Sequence, residues 1–212
     1  MNIALIGASG FVGSALLKEA LSRGHRVTAL VTNPAKLAPQ ANLAAAKVDV
    51  LDGPALAAQL QGHEAVISAF SGHAQTDIFG YYVKGIGSVI DAAKQARVPR
   101  LLVVGGAGSL EVAPGLQLVD TPQFPEQWKD SAEGARQALN MLRAERELDW
   151  TMLSPSAYLE PGQRTAKFRL GTDHLLQDEK GDSRISLEDY AVAMIDELEA
   201  PVHSRRRFTV GY

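Results

Sequence analysis

The sequence predicts a doubly wound α/β fold, a parallel sheet covered by helices on both faces. A short apolar run, Asn2-Ile3-Ala4-Leu5-Ile6, breaks directly into a glycine turn and then an amphipathic segment. Apolar runs and helical stretches alternate along most of the chain, and small residues gather where successive runs end. Such alternation calls for parallel strands joined by right-handed crossovers, in the order 3-2-1-4-5-6, with ligands bound at the carboxyl ends of the strands.

The first strand leads through Gly7-Ala8-Ser9-Gly10-Phe11-Val12-Gly13 into a helix that runs to about Arg23, with Phe11, Val12, Ala15, Leu16 and Leu21 on its apolar face. Arg26 to Val31 is rich in β-formers and gives the second strand, ended by Thr32-Asn33-Pro34. A short helix near Ala35 to Leu37 precedes a third strand around Ala44 to Val48, and Asp52-Gly53-Pro54 opens the next helix with proline in its first turn. Glu64 to Phe70 forms the fourth strand, closed by Ser71-Gly72. Helical spacing from Asp77 to about Ala96 leads to the fifth strand, Arg100 to Val104, which ends in Gly105-Gly106-Ala107-Gly108. A helix over about Pro125 to Arg146 leads to a sixth strand, Trp150 to Leu153, stopped by Ser154-Pro155.

Beyond it, Asp178-Glu179-Lys180-Gly181-Asp182 reads as a hairpin tip between Leu175-Leu176 and Arg184-Ile185-Ser186. A helix from Leu187 to Leu198 and a last strand at Phe208-Thr209-Val210 follow. With no internal repeat or linker, residues 1–212 are expected to be one domain: a core over 1–153, and a substrate-side cap with the last strand over 154–212.

Composition narrows the function classes. There are 21 basic against 24 acidic residues, a net charge of -3, so no nucleic-acid partner is expected, and the triplet Arg205-Arg206-Arg207 reads as a solvated approach to a strand. The absence of cysteine excludes disulfides, thiolate metal sites and thiol nucleophiles. His25, His63, His174 and His203 have no ligand spacing, so no metal is expected, and no G-x-S-x-G elbow supports a hydrolase. No leader precedes the first strand and no long apolar run occurs, so a cytoplasmic protein with no membrane partner is expected.

The glycine turn is the strongest functional signal. A helix start reached through glycines presents free N–H groups and the positive end of a dipole, and lacks the β-carbons that would keep a pyrophosphate away. Gly7, Ala8, Ser9, Gly10, Phe11 and Val12 are therefore the candidate pyrophosphate site of a dinucleotide, although the spacing is G-x-x-G-x-x-G and not G-x-G-x-x-G. No carboxylate stands at the end of the second strand to bind ribose hydroxyls. Thr32, Asn33 and Lys36 can all donate to a 2′-phosphate, which favours NADP, with NAD possible. Asp49 and Val50 are candidates to meet the adenine. Ala69, Phe70, Ser71 and Gly72, with Gly105, Gly106 and Ala107, leave room for ribose and nicotinamide.

Taken together, several stretches resemble the atypical short-chain dehydrogenase/reductase group, in particular the NADH-flavin reductases related to biliverdin-IX beta reductase. They are the glycine turn, Val31 to Leu37, Val103 to Leu110, Leu148 to Pro155 and Ser183 to Ala191. The resemblance implies a Rossmann-like fold, bound NADP or NAD, and hydride transfer to a flavin, quinone or similar planar small molecule. Members often carry arginine where this chain has Thr32, which weakens the phosphate clamp.

Ordinary short-chain dehydrogenases protonate a carbonyl with a Tyr-x-x-x-Lys pair on the helix after the fifth strand. Here that helix reads Trp128-Lys129-Asp130-Ser131-Ala132-Glu133-Gly134-Ala135-Arg136 and has no such pair. A flavin or quinone delocalises the charge it gains, so orientation in a dry pocket does most of the work. Ser109 and Tyr158 are the candidate catalytic donors, with Ser109 equally able to cap a turn and Tyr158 to sit on the surface; His73 is a weaker candidate. The rival reading is a regulator that binds the dinucleotide and acts through a protein partner. The segment from Glu111 to Gln127 separates the two, as a lid over the nicotinamide or an exposed docking patch. The long helices leave a monomer or a homodimer open.

Overall fold

The computed structural model describes residues 1–73 and 75–212. In chain order the first half comprises β1 (Asn2–Ile6), α1 (Phe11–Ser22), β2 (Arg26–Val31), β3 (Leu43–Lys47), α2 (Gly53–Leu60), β4 (Ala65–Ser68), α3 (Ile78–Gln95) and β5 (Arg100–Val104). The second half comprises β6 (Glu111–Ala113), β7 (Leu116–Gln117), α4 (Lys129–Ala144), β8 (Asp149–Ser154), β9 (Tyr158–Glu160), β10 (Arg169–Gly171), β11 (Arg184–Ser186), α5 (Leu187–Glu199) and β12 (Arg206–Gly211).

Eight strands form the central sheet in the order β10-β12-β8-β5-β4-β1-β2-β3. The expected six-strand order is present within it, with β8 as the sixth strand, and β12 extends it in parallel beside β8. On the outside β10 runs antiparallel to β12, a strand the sequence reading left out. The anticipated hairpin is also different. Its tip exists, with Asp178 N donating to Asp182 O at 2.9 Å and Gly181 at φ 85°. The arm before the tip, however, is drawn elsewhere: Leu175 N donates to Glu111 O, and β11 pairs in parallel with β9.

Period-two alternation sorts each strand between two cores. Ile3 and Leu5 of β1 face α1 and α5, packing with Leu16, Leu17, Tyr190, Met194 and Ile195. Ala4 and Ile6 face α2, α3 and α4, packing with Leu56, Ile86, Val89 and Leu139. Helix starts follow from capping side chains, which satisfy the free N–H groups of the first turn: Asp52 accepts from Ala55 N, Asp77 from Gly80 N and Ser186 from Asp189 N. Among the described residues no helix is long and apolar enough to cross a membrane.

Candidate functional site

All the parallel strands end at one edge of the sheet, and the glycine turn lies near its middle. Gly7 sits at φ 77°, in the left-handed region, and donates to Leu30 O at 2.9 Å; Gly10 N then turns back onto Gly7 O at 2.9 Å. A Cβ on Gly7 would lie 2.7 Å from Ala69 O, and one on Gly13 only 2.0 Å from Gly7 O. The helix is thus pressed onto the turn. In contrast to α2, α3 and α5, α1 has no capping side chain, and no acidic residue stands in its first turn. The first helical bond runs from Ser14 N to Gly10 O, and the N–H groups of Phe11, Val12 and Gly13 take no partner among the described residues. Three unpaired donors at the positive end of a helix, beside exposed Ser9 and Gly10, fit a pyrophosphate.

Phe11 does not join the apolar face of α1 as expected. It is 59% exposed at the rim of the turn, because the buried side of the helix is set by Gly13, Leu16, Leu17 and Ala20.

Beyond β2, Thr32 and Lys36 are exposed, and Asn33 has one role already: its Oδ1 accepts from Ala35 N at 3.1 Å and caps a single helical turn at Pro34–Lys36. Its amide N–H groups remain available as donors. After β3, Asp49 is exposed and accepts from Leu51 N at 2.9 Å, while Val50 is buried in the core and its carbonyl accepts from Ser88 Oγ at 2.6 Å.

At the ends of β4 and β5 the small residues have a second explanation that the sequence did not reveal. A Cβ on Gly72 would meet Ile78 O at 2.4 Å, one on Gly105 would meet Met152 Cγ at 2.8 Å, and one on Gly106 would meet Ala135 Cβ at 2.9 Å. Close packing of the chain on itself thus requires these glycines, whatever binds above them. Phe70 stacks on Tyr82 with ring centroids 6.0 Å apart, while Ser71 is exposed and Ala69 and Ala107 are half-buried.

On the far side the structure gives Ser109 a partner. The side chain is buried and its Oγ accepts from Arg207 Nη1 at 3.3 Å. The same guanidinium reaches Ser154 Oγ at 3.4 Å and pairs with Asp173, and burial pulls its pKa below the usual arginine value. Arg207 is therefore no part of a solvated triplet. Arg205 and Arg206 are exposed, but the alternation of β12 turns Arg207 inward. Tyr158 opens β9 and is 59% exposed. Trp128, which the sequence reading did not single out, is exposed at the start of α4, and its ring stands edge-on to His73 at 6.2 Å. That contact links the loop after β4 to the start of the helix after β5.

The segment from Glu111 to Gln127 is tied to the body of the protein. Arg136 on α4 holds both carboxylate oxygens of Asp120 at 2.8 and 2.9 Å and Gln117 at 3.2 Å, and Val119 N donates to Gly108 O. Its exposed apolar residues include Val112 and Leu116, on the β6–β7 hairpin.

A family profile described as NAD(P)H-binding matches residues 7–201. The chain belongs to this NAD(P)H-binding family. Solved structures of similar chains include a "putative epimerase" from Bacteroides thetaiotaomicron, 47% identical over all of this chain and 96% of that one, with a TM-score of 0.94. A "putative NADH-flavin reductase" from Streptococcus pneumoniae is 34% identical over all of this chain and 99% of its own, with a TM-score of 0.86. A short-chain dehydrogenase/reductase from Veillonella parvula, solved in complex with NADP, is 20% identical over all of this chain and 94% of its own, with a TM-score of 0.77; at that distance it shares the fold.

Proposed function

We propose that the protein is an NAD(P)H-dependent reductase that passes hydride to a planar acceptor such as a flavin or quinone. The observation that carries this reading is the uncapped start of α1 at the carboxyl edge of the sheet, in a chain of the NAD(P)H-binding family. The bound dinucleotide supplies the hydride; the chain's own groups bind and orient the reactants.

In this reading the N–H groups at the α1 turn hold the pyrophosphate, and Thr32, Asn33 and Lys36 favour NADPH by donating to its 2′-phosphate. Asp49 meets the adenine, and the backbone at Ala69 to Gly72 and Gly105 to Ala107 carries the ribose and nicotinamide. Exposed Trp128 and Tyr158 supply ring faces and edges for a flat acceptor. Ser109 serves mainly as an anchor for its loop, since Arg207 already occupies its oxygen. The relative from Streptococcus pneumoniae, described in the same terms, supports the acceptor class.

Oxidation of NADPH and NADH by the purified protein, followed with FMN, FAD, riboflavin and small quinones, tests the reading. Turnover well above the uncatalysed rate with one acceptor class is expected, with NADPH preferred. Tight dinucleotide binding without turnover on any acceptor refutes it and favours a regulator.

A further inference from the structure

We infer that Tyr82 donates a hydrogen bond to the acceptor, in the role left empty by the missing Tyr-x-x-x-Lys pair. This rests on the reductase reading, and names a group at its site to which no role has been given.

One hydroxyl on the α3 side of the sheet is buried without a partner, and a second, on a buried residue, has none among the described residues. Ser68 ends β4 and is 1% exposed, and its Oγ has no hydrogen-bond partner. It shares a sheet face with Val66, which packs against α3. Tyr82, in the second turn of α3, is 7% exposed, and its hydroxyl bonds to no described residue. Buried polar groups are nearly always satisfied, so a residue as buried as Tyr82 whose hydroxyl finds no partner calls for a polar occupant beside it.

The ring's surroundings place it beneath the loops that the reductase reading gives to the ribose and nicotinamide. Gly134 on α4 comes within 3.0 Å of Tyr82 Cδ1 when given a Cβ, Gly72 within 3.3 Å of Tyr82 Cβ, and Phe70 stacks on the ring. Ala135, next to Gly134, is the residue against which Gly106 closes. The phenol therefore stands between the loop after β4 and the loop after β5. Helical side chains lean toward the helix N-terminus, and α3 begins at the carboxyl edge of the sheet, so the hydroxyl extends toward that edge. Two glycines, at 72 and 134, make the slot that admits it.

The chemistry suits a donor that keeps its proton. Burial pushes the Tyr82 phenol up to about 12, so it is neutral at physiological pH. Hydride addition moves two electrons onto the acceptor and leaves negative charge on its carbonyl oxygen. The Tyr82 O–H stabilises that charge by a hydrogen bond, and water supplies the proton that completes the reduced acceptor. A donor aimed where charge develops acts most strongly in a dry site.

Tyr82→Phe removes one oxygen and keeps the ring stack, so melting temperature should stay at the parent value or rise. Turnover should fall by about ten- to a hundredfold, with the NADPH dissociation constant unchanged within about twofold. Unchanged turnover overturns the inference. So does a loss confined to NADPH affinity, which would give the hydroxyl to the dinucleotide. FMN binding to the NADP-loaded protein, read by flavin fluorescence, is independent of turnover. If the parent protein reduces no acceptor, the reductase reading fails by itself. Tyr82 is then decided by binding: an FMN affinity at least about fivefold weaker in the variant upholds the contact, and equal affinity, or no FMN binding by either protein, overturns it.

Discussion

Replacing Gly13 or Gly10 by alanine separates the two reasons a glycine can stand in the turn before α1, packing and the proposed dinucleotide contact. At Gly13 the new Cβ would lie 2.0 Å from Gly7 O and 2.8 Å from Gly7 C, so turn and helix must part by at least 1.0 Å to reach 3.0 Å, below which Cβ contacts essentially never occur. Both sides of this contact are backbone, and neither can swing aside. Overpacking of that kind costs about 3 kcal/mol at the upper end of its usual range. Alanine recovers about 1 kcal/mol through its better helix propensity. The net loss of about 2 kcal/mol corresponds to a fall of about 4–8 °C in melting temperature for a chain of this size. At Gly10 the nearest atom is Gly7 O at 3.2 Å, and φ is -81°, so alanine is tolerated by the fold. It instead places a methyl group where, on the proposed reading, the pyrophosphate approaches. Gly10→Ala should melt within about 2 °C of the parent and bind NADPH about tenfold more weakly, a loss of about 1.4 kcal/mol. Differential scanning fluorimetry and NADPH fluorescence titration read both quantities. Parent-like melting of Gly13→Ala would refute the close approach of helix and turn, and parent-like NADPH affinity of Gly10→Ala would remove the pyrophosphate from it.

Thr32→Asp places a carboxylate at the exposed end of β2, where it repels a 2′-phosphate and binds ribose hydroxyls; the ratio of NADPH to NADH affinity should fall at least tenfold, and an unchanged ratio means the 2′ position lies elsewhere. Arg207→Met removes the link between Ser109, Ser154 and Asp173 and should cost about 1–3 kcal/mol in urea unfolding. Lysine at 207 should not restore it, since one ammonium cannot span all three partners, and full rescue by lysine would show that only the charge matters. Acid should loosen the residues between β9 and β10. Hydrogen bonding from Arg164 holds Glu19 below its usual value, and the donors Thr165, Ala166 N and Tyr212 hold Asp189 low against the opposing effect of burial. Groups lowered on folding contribute fully above the ordinary carboxylate range and lose that contribution as pH falls below about 4. Melting temperature should therefore drop steeply below about pH 4, and Asp189→Asn should be less stable at neutral pH with a flatter acid limb; an acid limb as steep as the parent's counts against this assignment.

Much of the architecture was legible because it depends on local signals. The run into Gly7, the aspartates before α2 and α3, and the apolar stretch at β5 each announce an element within a few residues. The outer part of the sheet was not legible in this way. Whether a short stretch such as Arg169–Gly171 pairs at all depends on which strand forms the neighbouring edge, and β12 comes later in the chain. Similarly, β11 pairs with β9 because Leu175 is already bonded to Glu111, a contact between distant segments. At the site, the turn at α1 could be read from composition, yet Gly72, Gly105 and Gly106 looked like space for a ligand when packing against Ile78, Met152 and Ala135 already requires them. Tyr82 was invisible as a site residue because its helix is amphipathic and its ring belongs to the core; only the absent partner of its hydroxyl sets it apart. Arg207 was hidden in a run of three arginines whose alternation becomes meaningful once they form a strand.

The position of β12 between β8 and β10 sets an order of assembly. The strands from β1 to β8 can join as each successive crossover closes, but β10 must wait for residues that follow it in the sequence, since β12 supplies its neighbour in the sheet. Until Arg206 to Gly211 arrive, β8 presents an open edge of unpaired backbone groups, the kind of edge that recruits other chains. A nascent or clipped chain lacking β12 would carry a complete glycine turn at α1 on a body prone to self-association. The final strand thus acts as the closing step of folding, at the opposite side of the sheet from β3.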